Sequence, residues 1–318
     1  MSSKPLLIHI GYHKTATTWL QSRVFKPRHG FHEVLDHAAV FDAIIAPHPL
    51  DFDPAPVRDR LAAARAAAPA GWVDVISLEA LSGLPYEGGR ESTLYAKRLH
   101  RIAPEARILI TIREQIAVMA SLYMQYLSRA GTQSPARFFD ERPYPGYTKF
   151  SHRHFYYDRL VARYQALFGP DNVFVLPLET VAADQCTSVG LLAAFSGNDR
   201  LDPAAWAETR TRNVSYPQFA APLLRRANHF RSDALNPNPP IDLGAWPYRA
   251  IGGLARRLPL PAAIARARPV TEHLRRQHAG AFTESNRCLQ DLLPHPVDLP
   301  GYQGVAESDR RDSQDTAA

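Results

Sequence analysis

The sequence predicts an α/β fold, a parallel sheet flanked by helices, and three observations lead there. Four short segments, 5–10, 73–77, 107–112 and 173–176, are rich in Val, Ile and Leu and apolar almost throughout. Strands buried on both faces read this way. Helix-compatible stretches separate the segments, as crossovers between parallel strands require. The first segment then runs straight into Gly11-Tyr12-His13-Lys14-Thr15-Ala16-Thr17-Thr18. This strand–turn–helix order offers backbone N–H groups and a helix N-terminus to an anion.

The elements follow in order. A helix over 17–26 is stopped by Pro27. Residues 55–68 are alanine-rich and helical, ending near Pro69, and 91–102 and 114–129 form two more helices, the second closed by Gly131. The segment 155–168 places Tyr157, Leu160, Val161, Tyr164, Leu167 and Phe168 on one face. Gly169-Pro170-Asp171 turns it into the last strand. Residues 135–150 carry four prolines or glycines and several aromatics and read as an ordered loop near the strand ends. Residues 233–262, with Asn236-Pro237-Asn238-Pro239-Pro240 and Gly252-Gly253, read as an excursion or lid, and a helix near 271–292 follows. The tail from Glu307 is polar and expected to be disordered. The organisation is one domain over 1–304 with a tail at 305–318.

Composition narrows the function. An apolar fraction of 45% with 21% charged residues suits a globular enzyme. The net charge of +6 and a pI near 9.4 favour an anionic ligand. The Lys and Arg residues form no block, so nucleic-acid binding is not expected. Cys186 and Cys288 cannot build a disulfide framework and read as packing residues. The first apolar run breaks at His9, so no leader is expected, and no run approaches the ~20 residues of a bilayer span. A cytoplasmic location follows as the expectation, in which the sequon Asn213-Val214-Ser215 would go unused.

Three groups fall at strand ends, where open α/β sheets bind ligands. They are Lys14 with Thr15, Thr17 and Thr18; Glu79; and Arg113, with Ser121 further along the next helix. The first loop is no Walker A motif, which needs a glycine directly before the lysine, and no strand end presents an Asp for Mg²⁺. His29, His32 and His37 have loose metal-like spacing without converging thiolates or carboxylates, so no metal is expected. His152 and His154 read as a solvated face, and Tyr123, Met124 and Tyr126 as helix packing. The aromatics over 138–157 and the Trp246 to Tyr248 region are candidates to line an acceptor cleft.

The run Gly11-Tyr12-His13-Lys14-Thr15-Ala16-Thr17-Thr18-Trp19-Leu20-Gln21, with an apolar strand ending in Arg113 and a serine eight residues on, resembles the sulfotransferases that use 3′-phosphoadenosine-5′-phosphosulfate. It is most similar to bacterial members with a KTATT-type loop. The helix, turn and strand from Tyr157 to Glu179 are also similar, as are Arg212-Asn213-Val214-Ser215-Tyr216-Pro217 and Ser285-Asn286 through Leu299-Pro300-Gly301-Tyr302. The likeness spans residue 5 to about 302, apart from 233–262. It implies a P-loop nucleotide-binding-like architecture.

The resemblance implies that the loop of Gly11, His13, Lys14, Thr15, Ala16, Thr17 and Thr18 binds the 5′-phosphosulfate, and that Arg113 and Ser121 bind the 3′-phosphate. Lys14 would stabilise charge on the bridging oxygen, a contribution of ~2.7–4 kcal/mol for such a donor. Glu79 is the first candidate for the base that takes the acceptor proton, with His32 and His37, expected in the loop after the first helix, as alternatives. The implied reaction moves a sulfuryl group to an acceptor hydroxyl on a small molecule, saccharide or glycolipid, with no metal. Two rivals remain: a nucleotide kinase or NTPase on the same fold, and a non-catalytic basic protein that binds anions.

Overall fold

A computed structural model of the chain describes residues 6–142, 145, 148–206, 215–294, 297 and 299–305. Arg212, Asn213 and Val214, Tyr144 and Tyr147, and the tail from Glu307 lie outside them. The chain forms two compact units. One comprises Met1–Glu114, His152–Arg210 and Gly280–Ala318; the other comprises Gln115–Ser151 and Thr211–Ala279.

The first unit holds five strands: β1 (Leu7–His9), β2 (Phe31–Leu35), β3 (Val73–Ser77), β4 (Arg107–Ile112) and β5 (Val173–Pro177). All pairings are parallel, in the order β2-β3-β1-β4-β5. This is the expected α/β architecture, with β2 added. The four expected strands are buried because their side chains meet apolar partners on both faces. On one face Leu7, Val73, Val75 and Leu109 pack with Phe25, Val189 and Leu192. On the other, Ile8 is in register with Ile76 and Ile108, and the helix Tyr157–Phe168 buries Tyr157, Leu160, Val161 and Tyr164. The chain leaves β1 towards β2 and leaves β4 towards β5. The connections diverge there, so the topological switch point, where open α/β sheets bind ligands, falls at the C-terminal ends of β1 and β4.

Several elements differ from their sequence-based outlines. The first helix is a short α-turn, Thr17–Trp19, continued by a π-helical turn, Leu20–Val24. The segment after it is not a loop: Phe31–Leu35 is an edge strand whose His32 and Glu33 are not buried. His32 accordingly stands on β2 and His37 at the start of the helix His37–Val40. The chain near 135–150 contains a helical turn, Pro135–Phe138, and the expected helix at 271–292 is two, Pro269–Gln277 and Thr283–Leu292. The supposed excursion contains the helix Trp246–Arg257. Cys186 and Cys288 are free, half-buried thiols.

Helices alone make up the second unit's described regular structure, with Gln115–Ser128 the longest. It ends not with Gly131 in the left-handed region but with Ala130 (φ 62°). The Tyr126 ring packs against Gly131, where a Cβ would overlap it, and so the glycine is needed for space. The exposed carbonyls of this turn are taken by the buried Asn228, which donates to Leu127 O at 2.7 Å and Gly131 O at 2.8 Å. Tyr123 and Met124 are buried as expected. Replacing Asn228 by Ala leaves the Gly131 carbonyl without this donor while Leu127 O keeps the Ala130 N–H, and should cost roughly 1–3 kcal/mol, read as a lower midpoint in urea unfolding followed by circular dichroism.

Candidate anion-binding site

The site is built on a row of polar side chains where the apolar face of the sheet would otherwise continue. His9 lies two residues after Leu7 on β1, so it shares that strand's core face. It is fully buried, with its ring 5.8 Å from that of Phe25. Its Nδ1 is 2.8 Å from Ser77 Oγ at the end of β3, and its Nε2 is 3.1 Å from Thr111 Oγ1 on β4. Thr111 Oγ1 is in turn 2.7 Å from Thr15 Oγ1, and the Thr15 hydroxyl donates to the Tyr12 carbonyl. At the other end, Gln21 Nε2 donates to Ser77 Oγ at 3.1 Å and to Ser77 O at 3.2 Å.

The donors in this chain can be ordered. Thr15 has given its one proton to Tyr12 O and must accept from Thr111. Thr111 has then spent its proton and must accept from His9, which fixes the imidazole proton on Nε2. Nδ1 is left to accept from Ser77, whose oxygen accepts from Gln21. A neutral ring is required throughout. Burial agrees, since it lowers the His9 pKa from 6.5 to about 3.

This network carries the loop. Gly11 lies against it so closely that a Cβ there would overlap Thr111 Oγ1 and His9 Nε2. Lys14 and Ala16 adopt left-handed backbone, with φ of 67° and 69°, at a cost of roughly 1–2 kcal/mol for each non-glycine residue. Such turns point successive N–H groups to one side and form an anion nest. Thr15 and Thr17 are buried while Thr18 is exposed. Thr17 Oγ1 has no hydrogen-bond partner among the described residues although it is buried. An unpaired buried hydroxyl is costly, and it leaves a polar atom available to a bound oxyanion.

The end of β4 is held from behind. Arg113, half-buried, donates from Nη1 to the Lys14 carbonyl at 3.5 Å, which joins the two strand ends through their cationic residues. Its own carbonyl accepts from Tyr157 Oη at 2.6 Å. Glu179 accepts from the Glu114 N–H at 3.0 Å and from Tyr302 Oη at 3.2 Å. Tyr12 is buried with its ring 4.7 Å from Tyr157 and 4.9 Å from His154. His154 is therefore no solvated residue: it is buried, and burial with the neighbouring His13 lowers its pKa to about 3.

Glu79 follows β3 directly and opens a short 3₁₀ turn, Glu79–Ser82. The cap position is Leu78, which makes no side-chain cap, and Glu79 Oε2 is buried without a hydrogen-bond partner among the described residues. The Leu78 N–H donates to His9 O at 3.1 Å, which ties this turn to β1. His32 stands elsewhere. It pairs in register with Asp74 near the start of β3, and its Nδ1 lies 3.0 Å from Asp74 Oδ1, while Arg65 holds the other carboxylate oxygen at 3.0 Å. That is the N-terminal side of the sheet, away from the loop. His37 is exposed beyond the C-terminal end of β2. Ser121 is half-buried on the helix Gln115–Ser128 of the second unit.

Among solved structures, the chain is similar to two sulfotransferases. One is a sulfotransferase from Alicyclobacillus acidocaldarius, with a TM-score of 0.42 and 17% identity over 80% of this chain and 100% of that one. The other is the sulfotransferase domain from the curacin biosynthetic pathway, with a TM-score of 0.34 and 10% identity over 87% of this chain and 98% of that one. No family model and no curated protein matches the chain.

Sequence reasoning singled out the loop, Arg113 and Glu79, which the structure places after β1, β4 and β3, but not the residues beneath them. His9 had a visible signal, a histidine interrupting an apolar strand; Tyr12, Tyr157 and Tyr302 had none. The aromatics expected to line a cleft are otherwise engaged. Phe138, Phe139 and Phe150 are buried against one another and, for the first two, against Tyr123. Tyr248 is buried against Tyr216, and Trp246 is exposed.

Two predictions follow from the network. His9 and His154 titrate near 6.5 when unfolded but near 3 when folded. The unfolded chain thus binds more protons below pH 6.5, and stability falls as pH drops from 6.5 towards 3. Each histidine should contribute about 1.4 kcal/mol per pH unit within that window. Urea unfolding at a series of pH values should show this slope, reduced by one proton in His9→Gln. Gly11→Ala should destabilise by roughly 1–3 kcal/mol through overpacking, read as a lower thermal midpoint.

Proposed function

We propose that the chain transfers a sulfuryl group from 3′-phosphoadenosine-5′-phosphosulfate to an acceptor hydroxyl, on a small molecule, a saccharide or a glycolipid. The reading rests above all on one observation. At the β1–β4 switch point Arg113 reaches the Lys14 carbonyl of a nest-forming loop in which the Thr17 hydroxyl is buried and unpaired. A nucleotide with two separated anionic groups suits a loop cation and a second cation on the adjoining strand. When bound, it supplies an activated sulfuryl group of lower charge than a phosphoryl group.

The chain's residues then divide the work. The loop from Gly11 to Thr18, including His13, Thr15 and Ala16, directs its N–H groups and the Thr17 and Thr18 hydroxyls to the 5′-phosphosulfate. Lys14 follows the bridging oxygen as the bond from sulfur to that oxygen opens, a stabilisation realised in the transition state. Arg113 offers its planar fork to the 3′-phosphate, and Ser121 is assigned a hydroxyl contact to the same group. Glu79 takes the acceptor proton through its unpaired Oε2 as the acceptor oxygen attacks sulfur in line. The strand ends beside β1 carry Ser77 and Thr111, whose hydroxyls are already engaged by His9, and the carboxylate that follows β3, Glu79, is assigned to the acceptor proton. In this reading the enzyme is metal-independent and works in the cytoplasm.

Thermal shift and product analysis test the proposal. 3′,5′-Adenosine bisphosphate should raise the melting temperature of the wild type but not of Lys14→Ala or Arg113→Ala, and Ser121→Ala should weaken the shift. Stabilisation by ATP with Mg²⁺ instead would favour a kinase or NTPase. Mass spectrometry of acceptors incubated with the sulfuryl donor should show a sulfated product, formed about 10²–10³ times more slowly by Lys14→Ala.

A further inference from the structure

The helix Trp246–Arg257 packs one face into its own unit and leaves the other uncovered. Tyr248 and Gly252 are its buried residues. The Tyr216 ring lies so close that a Cβ at Gly252 would overlap it, and Tyr216 and Tyr248 meet with centroids 5.6 Å apart. On the opposite side, Trp246, Ala250 and Leu254 recur at every fourth residue and form a single stripe. Trp246 is 73% exposed and Leu254 57%. Leu258 and Ile264, beyond the helix, are exposed as well.

The charge beside this stripe has one sign. From Leu243 to Thr271 the chain contains five arginines, Arg249, Arg256, Arg257, Arg266 and Arg268, and no Asp or Glu. Arg256 lies over the Tyr216 ring, 4.3 Å from its centroid. The other four are exposed.

We propose that this face docks on an anionic lipid surface, with Trp246 and Leu254 entering the headgroup boundary and the arginines meeting lipid phosphates. Charge decides the occupant. A second copy would cover the apolar stripe, but a two-fold contact would set one arginine-rich stretch against another with no carboxylate between them. An anionic bilayer satisfies both halves of the surface. Trp favours the membrane interface, and basic helices with an exposed Trp and Leu stripe lie in its plane. Among the described residues no helix is long and apolar enough to cross a membrane; the contact proposed is peripheral. It does not depend on the chemistry assigned to the Lys14 loop.

Co-sedimentation of the full chain with vesicles tests it. The protein should sediment with phosphatidylcholine vesicles containing phosphatidylglycerol, release as salt rises, and show a blue-shifted tryptophan emission when bound. Trp246→Ala should weaken binding about tenfold and remove most of the emission shift. Exchanging Arg249 and Arg257 for Gln should weaken it about fivefold for each residue. Both variants should keep the wild-type melting temperature, since neither side chain is buried. Failure to bind the anionic vesicles, equal binding to phosphatidylcholine alone, or wild-type binding by both variants would overturn the proposal. So would a solution dimer that Trp246→Ala dissociates and that ignores vesicles.

Discussion

A strand of three residues, β1, supports the Lys14 loop of the candidate site, and it does so through the buried imidazole of His9. The strand itself ends at His9, backbone hydrogen bonds to β4 continue through the Ile10 and Tyr12 N–H groups, and the loop beyond them holds two non-glycine residues in left-handed conformations. Such a loop would relax unless its surroundings overdetermine it. His9 provides that constraint by bridging β3 and β4, and Thr111 passes it on to Thr15 within the loop. Gly11 is the corollary, because the chain must pass directly over this bridge.

A second set of buried groups fixes the neighbouring strand end. Tyr157 holds the Arg113 carbonyl, Glu179 holds the next N–H, and Tyr302 orients Glu179. Tyr12, at the start of the loop, packs against Tyr157, so the two sets touch. The cationic residues stand at the front of a framework in which their backbones have little freedom. Sites that stabilise developing charge gain from this arrangement, because little reorganisation remains for the moment of reaction.

What the sequence revealed and what it hid have physical reasons. Strands buried on both faces are continuous apolar runs, so β1, β3, β4 and β5 were legible. At the sheet's edge, β2 carries His32 and Glu33, and its pattern resembles a loop. Prolines and paired glycines concealed the helix Trp246–Arg257, although Pro247 sits in its first turn, where no N–H partner is lost. Lys14, Arg113 and Glu79 were legible because their chemistry is local to strand ends. The supporting network was not, since His9 meets partners 68 and 102 residues away. His154 misled for the same reason: its charged sequence neighbours point elsewhere, while its own ring is buried beside Tyr12.

The direction of the hydrogen bonds gives the neutral histidine a meaning beyond burial. A candidate anion site with Lys14 and Arg113 at its front would gain positive charge from a third cation beneath the loop. The network forbids it. A proton on His9 Nδ1 would face Ser77 Oγ with a donor where it now meets one, and Ser77 would have to turn its own proton to another acceptor. Gln21 already donates to that oxygen, so the change would reach the helical turn that follows the loop, while the Nε2–H that meets Thr111 stays in place. Protonation therefore disturbs the Ser77 and Gln21 end of the network even while it adds positive charge. The cationic character of the site must come from side chains at its front, Lys14 and Arg113, and the chemistry beneath them is confined to neutral donors and acceptors running in one direction.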